Sequence, residues 1–503
     1  MSYTSLFYYA MVIALLIIYY VLPKRFRWLA LLAGSVYFYA RVIDSWKQAA
    51  VFLLSIAVSY AAGLLMQKLN SSNNTRSAAH AGARRAVLLG GIILSALPLL
   101  LVKLGDFLSG SVMHKPGVSW IVPVGLSFYT LQLAAYLVDI YRGEIDAQLN
   151  PLKYGLFATF FPQVIQGPIP RYKQLHKELF EGNDYNLDNI MRGIQLVIWG
   201  FFLKFMIADK AAVIVNAVFD NYHAYSGVYV WVAAILYSIQ LYADFLSCTT
   251  MSQGVSEMFG IHLVNNFNHP YFATSIKEFW RRWHMSLSFW LRDYVYIPLG
   301  GNQRGKIFKW VNLIITFAVS GLWHGGSWKF VFWGLLHAFY QIAGEIRHEI
   351  AVKLRLGRSQ MRSEKLEPDR SQMRSEKLSI ALQRLGTFIL VMLAWIIFRA
   401  ESLRAALEMI RTMIFGFNPW VLFDDSLFRL GLGWKECVVL MISIGILFWI
   451  SKLQESGIVL RDWFSRQNTA LRWTIYLVAI WTIWIFGSYG FGFDAQSFIY
   501  GGF

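Results

Sequence analysis

The chain has 503 residues, of which 56% are hydrophobic, 17% aromatic and only 15% charged. A soluble domain carries about a quarter charged residues, so the composition excludes an ordinary soluble enzyme and points to lipid. The net charge of +17 invites a nucleic-acid reading, yet no aromatic-and-glycine RNA-binding signature accompanies it.

Taken in chain order, apolar runs at residues 5–22, 48–66, 86–102, 118–140 and 227–247 approach the roughly 20 residues needed to cross about 30 Å of hydrocarbon. Such runs must be helical, because lipid offers no partner for backbone polar groups. The whole chain reads as about eleven to thirteen transmembrane or re-entrant helices. It is an all-α polytopic membrane protein with one integral-membrane domain over residues 1–503. The first run lacks a basic leader region and a small-residue cleavage site, so it reads as a retained span. Lys24, Arg25 and Arg27 follow the first span, and Lys68, Arg76, Arg84 and Arg85 follow the third. Basic loops stay cytoplasmic, which sets the N-terminus outside and places the basic stretches 277–309 and 347–384 inside.

Three stretches depart from simple hairpins. Residues 154–169 are apolar but interrupted by Pro162, Gly167 and Pro168, with Pro170 beyond. A broken element of this kind is tolerated at membrane depth only where protein or a cavity surrounds it. Residues 277–297 place Trp280, His284, Leu287 and Leu291 at helical spacing, with Arg281, Arg282, Ser288 and Arg292 towards another face. That pattern predicts one amphipathic helix at the cytoplasmic interface. The third is a basic cytoplasmic linker at about 347–383, in which residues 358–366 recur as 370–378. Two polar copies cannot build a solenoid, so the repeat reads as a recent duplication in a tolerant loop.

Cys248 and Cys437 are the only cysteines, too few for a disulfide framework or a thiolate metal site. Ten histidines are present. His80, His114, His176, His223, His262, His269 and His348 read as ordinary surface or interface residues. His337 reads as a satisfied buried residue. His324 differs: it ends a long apolar run and sits in the segment SGLWHGGSW, residues 320–328. An ionisable group at membrane depth marks a function by default. Burial favours the neutral imidazole, a base able to take a hydroxyl proton. Glycines at 321, 325 and 326 would let the backbone turn and a substrate approach; a histidine capping its own helix is the bland alternative. His284 lies on the apolar stripe, where a core histidine bonded to a carbonyl is equally compatible. The histidines lack metal-ligand spacing, and no phosphate loop or nucleophile elbow occurs. Arg281 and Arg282 suit the phosphates of an acyl donor or of lipid headgroups. Asp244, inside an apolar run, suits a cavity lining or a structural pair with a neighbouring helix.

Residues 278–302, EFWRRWHMSLSFWLRDYVYIPLGGN, resemble the signature of membrane-bound O-acyltransferases of the bacterial alginate O-acetylation branch. Residues 322–325, LWHG, resemble that family's second histidine motif. Residues 128–130, 139–143, 161–168 and 266–271 are similar as well, in the same order, so the likeness runs over nearly the whole chain. The resemblance implies a multi-helix fold with a central funnel or tunnel. It makes His324 the catalytic histidine and His284 the other motif histidine, with Trp323 and Asn266 inside the same motifs. It implies no bound cofactor and a cytoplasmic thioester donor, acetyl-CoA or an acylated carrier protein. The acyl group would go to an extracytoplasmic polysaccharide acceptor, with a hydrolase-like partner of the SGNH type completing transfer, in a bacterial cytoplasmic membrane. A more distant branch transfers D-alanine to teichoic acid. Where the branch usually reads DFSGYSD, this chain reads DFLSCTT at 244–250; the difference bears on substrate identity more than on reaction class. A polysaccharide or lipid transporter is the competing class, but it expects matched broken helices in both halves, and only one broken element is present.

Overall fold

The computed structural model describes residues 2–71, 78–108, 122–359, 370–416, 418–489 and 498. Among these residues every regular element is helical, so the all-α expectation holds. Seven helices are long and apolar enough to cross a membrane: Trp46–Asn70, Ala79–Asp106, Val228–Met258, Lys306–His324, Lys377–Arg399, Trp434–Glu455 and Thr469–Phe486. Leu6–Val21 is a shorter apolar helix. The chain is a multi-pass membrane protein. It divides into two compact units, one of residues 1–210, 240–265 and 438–503, the other of residues 211–239 and 266–437.

In the first unit the opening helix shows how local rules and lipid cooperate. Ser5 caps Leu6–Val21 by accepting the Tyr8 N–H, satisfying one of the orphan donors of the first turn. Pro23 holds Leu22 extended, with ψ at 145°, and so ends the helix. Tyr8, Val12, Leu15 and Tyr19 are buried at helical spacing, while Leu6, Phe7, Ile13 and Ile17 are exposed. In water such a face would be an anomaly; against acyl chains it is the expected surface. Inside the membrane there is no hydrophobic drive between helices, so close packing supplies the association. A Cβ on Gly34 would lie 2.5 Å from Leu15 Cδ2, which fixes how closely the first two helices approach.

The broken apolar stretch is buried protein. Asn150 caps Pro151–Thr159 by accepting the Leu152 and Lys153 N–H groups, and the chain then turns through residues 160–167 before Tyr172–Phe180. Tyr154, Leu156, Phe157, Phe160, Phe161 and Val164 are all essentially inaccessible. Gln132 donates to the Phe157 carbonyl at 2.7 Å, so irregular backbone at this depth finds internal partners.

The second unit is organised around the hairpin of Lys306–His324 and Trp328–Ser359. A Cβ at Gly321 would stand 2.3 Å from the Phe330 carbonyl oxygen, and one at Gly334 would stand 2.2 Å from that of Phe317. Only glycine permits this backbone-to-backbone crossing. The sequence reading gave Gly321 and Gly325 to substrate access. The structure corrects this: Gly321 faces the neighbouring helix, and Gly325 faces the Phe330 ring at 2.2 Å from a built Cβ. At the far end of the hairpin Lys309 and Trp310 meet Glu345, and Lys306 meets Glu349. The linker expected at 347–383 is helical where described, since one helix runs to Ser359 and the next starts at Arg370. The first repeat copy lies largely outside the described residues; the second begins the Arg370–Arg399 helix.

Candidate active site

Residues 277–297 do not form the single amphipathic helix that their spacing predicts. Ile276–Arg282 and Met285–Leu291 are separate helices, followed by a wide π-turn at Arg292–Tyr296. His284 stands between them with φ 42° and ψ 55°, a left-handed conformation rare outside glycine and a frequent mark of functional constraint. The break is held from outside the segment. The Met285 N–H donates to the Asn266 carbonyl at 2.8 Å and the Asn268 N–H to the Arg282 carbonyl at 2.9 Å. Local periodicity cannot reveal a turn imposed by such distant partners.

The same asparagine reaches the ring. The Ser286 N–H donates to Asn266 Oδ1 at 3.1 Å, which fixes that atom as the oxygen of the amide. His284 Nδ1 lies 3.4 Å from it, so Nδ1 carries the proton and Nε2 is left as the basic nitrogen. His284 is 1% exposed, and burial pushes its imidazole down to about 3, because an imidazolium loses its hydration there. Neither flanking helix, at 7 residues each, is long enough to span a bilayer.

His324 ends the Lys306–His324 helix and is buried among rings. Its centroid is 4.8 Å from Trp323, 5.1 Å from Trp333 and 5.2 Å from Phe398. Trp323 in turn is 6.1 Å from His284. The structure therefore brings four of the expected residues together: Asn266 against His284, His284 against Trp323, and Trp323 beside His324. The remaining three stand differently. Arg282 is ion-paired with Glu278 at 2.7 Å, one helical turn away, and Glu278 is itself bound by Thr274. Arg281 is exposed. Asp244 belongs to the other compact unit, where Lys204 bridges it at 2.8 Å and Asp209 at 2.9 Å. That pairing is the structural alternative weighed for Asp244.

Two residues stand out beyond what their sequence positions gave. Asn266 orients His284 and is not merely a motif neighbour. His337 is fully buried against Trp280, Trp333 and Trp395, with ring centroids at 5.0, 5.0 and 6.2 Å. The Trp333–His337 spacing of four residues on one helix was the available signal. Among the other histidines, His262 pairs with Glu178 and His223 with Glu408, and His114 lies outside the described residues. Among the described residues no group of three His, Cys, Asp or Glu side chains could hold a metal ion.

Two imidazoles buried in one unit, one with a defined basic nitrogen, can exchange protons with a hydroxyl or thiol. Comparison with known proteins identifies the family. Residues 141–351 match the membrane-bound O-acyltransferase family. A probable alginate O-acetylase of Azotobacter vinelandii is 34% identical over 76% of this chain and 72% of its own length. A peptidoglycan O-acetyltransferase of Helicobacter pylori is 38% identical over 44% of this chain and 47% of its own. A teichoic acid D-alanyltransferase of Bacillus subtilis is 33% identical over 50% of this chain and 66% of its own. The chain belongs to the membrane-bound O-acyltransferase family and is an O-acyltransferase.

Proposed function

We propose that this protein moves an acyl group, acetyl first of all, from a cytoplasmic thioester towards hydroxyls of an extracytoplasmic polysaccharide. The donor is acetyl-CoA or an acylated carrier protein, and the site of action is the bacterial cytoplasmic membrane. A charged donor cannot cross hydrocarbon, whereas a small acyl group can pass through a funnel narrowed within the protein. A hydrolase-like partner outside the membrane then completes transfer to the polymer. The relatives named for alginate and peptidoglycan acetylation support this choice of acceptor.

The observation that carries the reading is the grouping of Asn266, His284, Trp323 and His324 in one buried unit. His324 takes the proton of the acceptor hydroxyl as its oxygen adds to the thioester carbonyl carbon. The carbon–sulfur bond breaks, and the thiolate leaves and regains a proton. His284, its proton fixed on Nδ1 by Asn266, presents Nε2 to a hydroxyl or thiol proton. Such proton transfer contributes roughly 10²–10⁴-fold in rate.

The test compares base-released acetate from the envelope polysaccharides of cells carrying the wild type or His324→Ala at matched membrane levels. Loss of acetate in the variant alone supports the reading, and equal acetate in both removes His324 from the mechanism. The D-alanyltransferase relative favours one second reading, in which the released group is D-alanine.

A further inference from the structure

His337 lies on the Trp328–Ser359 helix and is 0% exposed. Its Nδ1 accepts the indole N–H of Trp280 at 3.2 Å. An indole nitrogen only donates, so Nδ1 must offer a lone pair and the proton of this ring sits on Nε2. That Nε2 is buried and makes no hydrogen bond within the described residues. The same holds for the indole nitrogens of Trp333 and Trp395, each 0% exposed. These three donors sit on rings in mutual contact: Trp333–His337 at 5.0 Å, Trp333–Trp395 at 5.8 Å and His337–Trp395 at 6.2 Å between centroids.

Native interiors rarely leave even one buried donor unmade, and three on adjoining rings call for a ligand. Its chemistry follows from theirs. All three groups are neutral and donate only, so they suit an oxygen with lone pairs. The surrounding rings would penalise a carboxylate or phosphate, whose full charge would enter without a countercharge. A carbonyl oxygen, partly negative but uncharged, fits. Trp333 also stands 5.1 Å from the His324 ring, so the cluster adjoins the candidate base.

We infer that His337, Trp333 and Trp395 form a binding site for the carbonyl oxygen of the acyl group in transit. This rests on the acyl-transfer reading. As the acceptor oxygen adds to the acyl carbon, the carbonyl π pair moves onto that oxygen and the N–H donors take up the developing charge. When the pair returns, the thiolate leaves. Preorganised donors of this kind act most strongly where water is excluded.

The experiment uses the full chain in cells, with Trp333→Phe, Trp395→Phe and the double variant beside wild type and His324→Ala. Phenylalanine keeps an aromatic ring and deletes the N–H. The initial rate of appearance of base-released acyl groups, assayed as acetate and as D-alanine, is measured at matched membrane levels. Melting temperature is measured in detergent. Each single variant is expected to fall roughly a hundredfold to a thousandfold in rate and the double variant further, with melting temperature unchanged. Wild-type rates in the phenylalanine variants would overturn the site, as filling by ordinary buried water predicts. A rate loss matched by a fall in melting temperature would also overturn it, assigning these rings to packing. A wild type no better than His324→Ala would instead bring down the acyl-transfer reading, and this site with it.

Discussion

One buried polar cluster in each compact unit illustrates two ways of handling polarity. In the first, Lys204, Asp209 and Asp244 are 3–4% exposed and stand as one lysine between two aspartates, with the Phe498 ring 4.5 Å from the lysine nitrogen. In the second, imidazoles and indoles are buried together, and His337, Trp333 and Trp395 keep donors that the described protein does not satisfy. In the first arrangement the polar groups pair with one another. The second is open to an oxygen-bearing ligand. A buried charge must be matched by protein, because nothing else is at hand when the chain folds. A neutral donor can wait for a substrate at modest cost.

The widest separation between the units comes from single substitutions. His324→Ala should lower acyl transfer by about a hundredfold or more while membrane level and melting temperature hold. Lys204→Met should do the reverse. It leaves two buried carboxylates facing each other, a loss of about 3–5 kcal/mol. Thermal unfolding in detergent would report it first, and unfolding at the wild-type temperature would contradict the closed-cluster view. Adding Asp209→Asn and Asp244→Asn to that variant should restore most of the stability.

Asn266→Ala sharpens the comparison at smaller scale. It deprives both the His284 ring and the Ser286 N–H of an acceptor, worth about 1–3 kcal/mol, and transfer rate should fall roughly fivefold to a hundredfold. Unchanged transfer would mean that the His284 tautomer is set by other contacts. The smallest effect concerns acidity. An unfolded histidine protonates near 6.5, whereas the buried His284 resists protonation down to about 3. A lowered folded value means that stability is intact above about 6.5 and is lost as pH falls. Between about pH 7.5 and 5.5 the loss from this residue is on the order of 1 kcal/mol. The melting temperature should drop over that range, and less steeply in His284→Asn.

Much of this was legible in the chain. Apolar runs gave the spans because lipid leaves the backbone no alternative to helix. His324 announced itself as an ionisable residue at the end of such a run. What stayed hidden was set by contacts distant in sequence. The break at His284 depends on Asn266 and Asn268, which bond Met285, Ser286 and Arg282 across 14 to 20 residues of chain, so a helical stripe that looked continuous was divided. Asp244 could be read as lining or pair, and the pairing with Lys204 on another helix is not visible in its own segment. His337 was taken as satisfied because burial implies partners; one of its nitrogens has one, and the other does not.

The glycine crossing in the Lys306–His324 and Trp328–Ser359 hairpin bears on how the protein is made. Its turn end is drawn tight by Gly321 and Gly334, and its other end is neutralised by Lys306 and Lys309 against Glu349 and Glu345. Two nascent helices zipped in this way can leave the insertion machinery as one object. Their carboxylates are then already matched when they meet the bilayer surface, and His324 and His337 are aligned from the moment of entry.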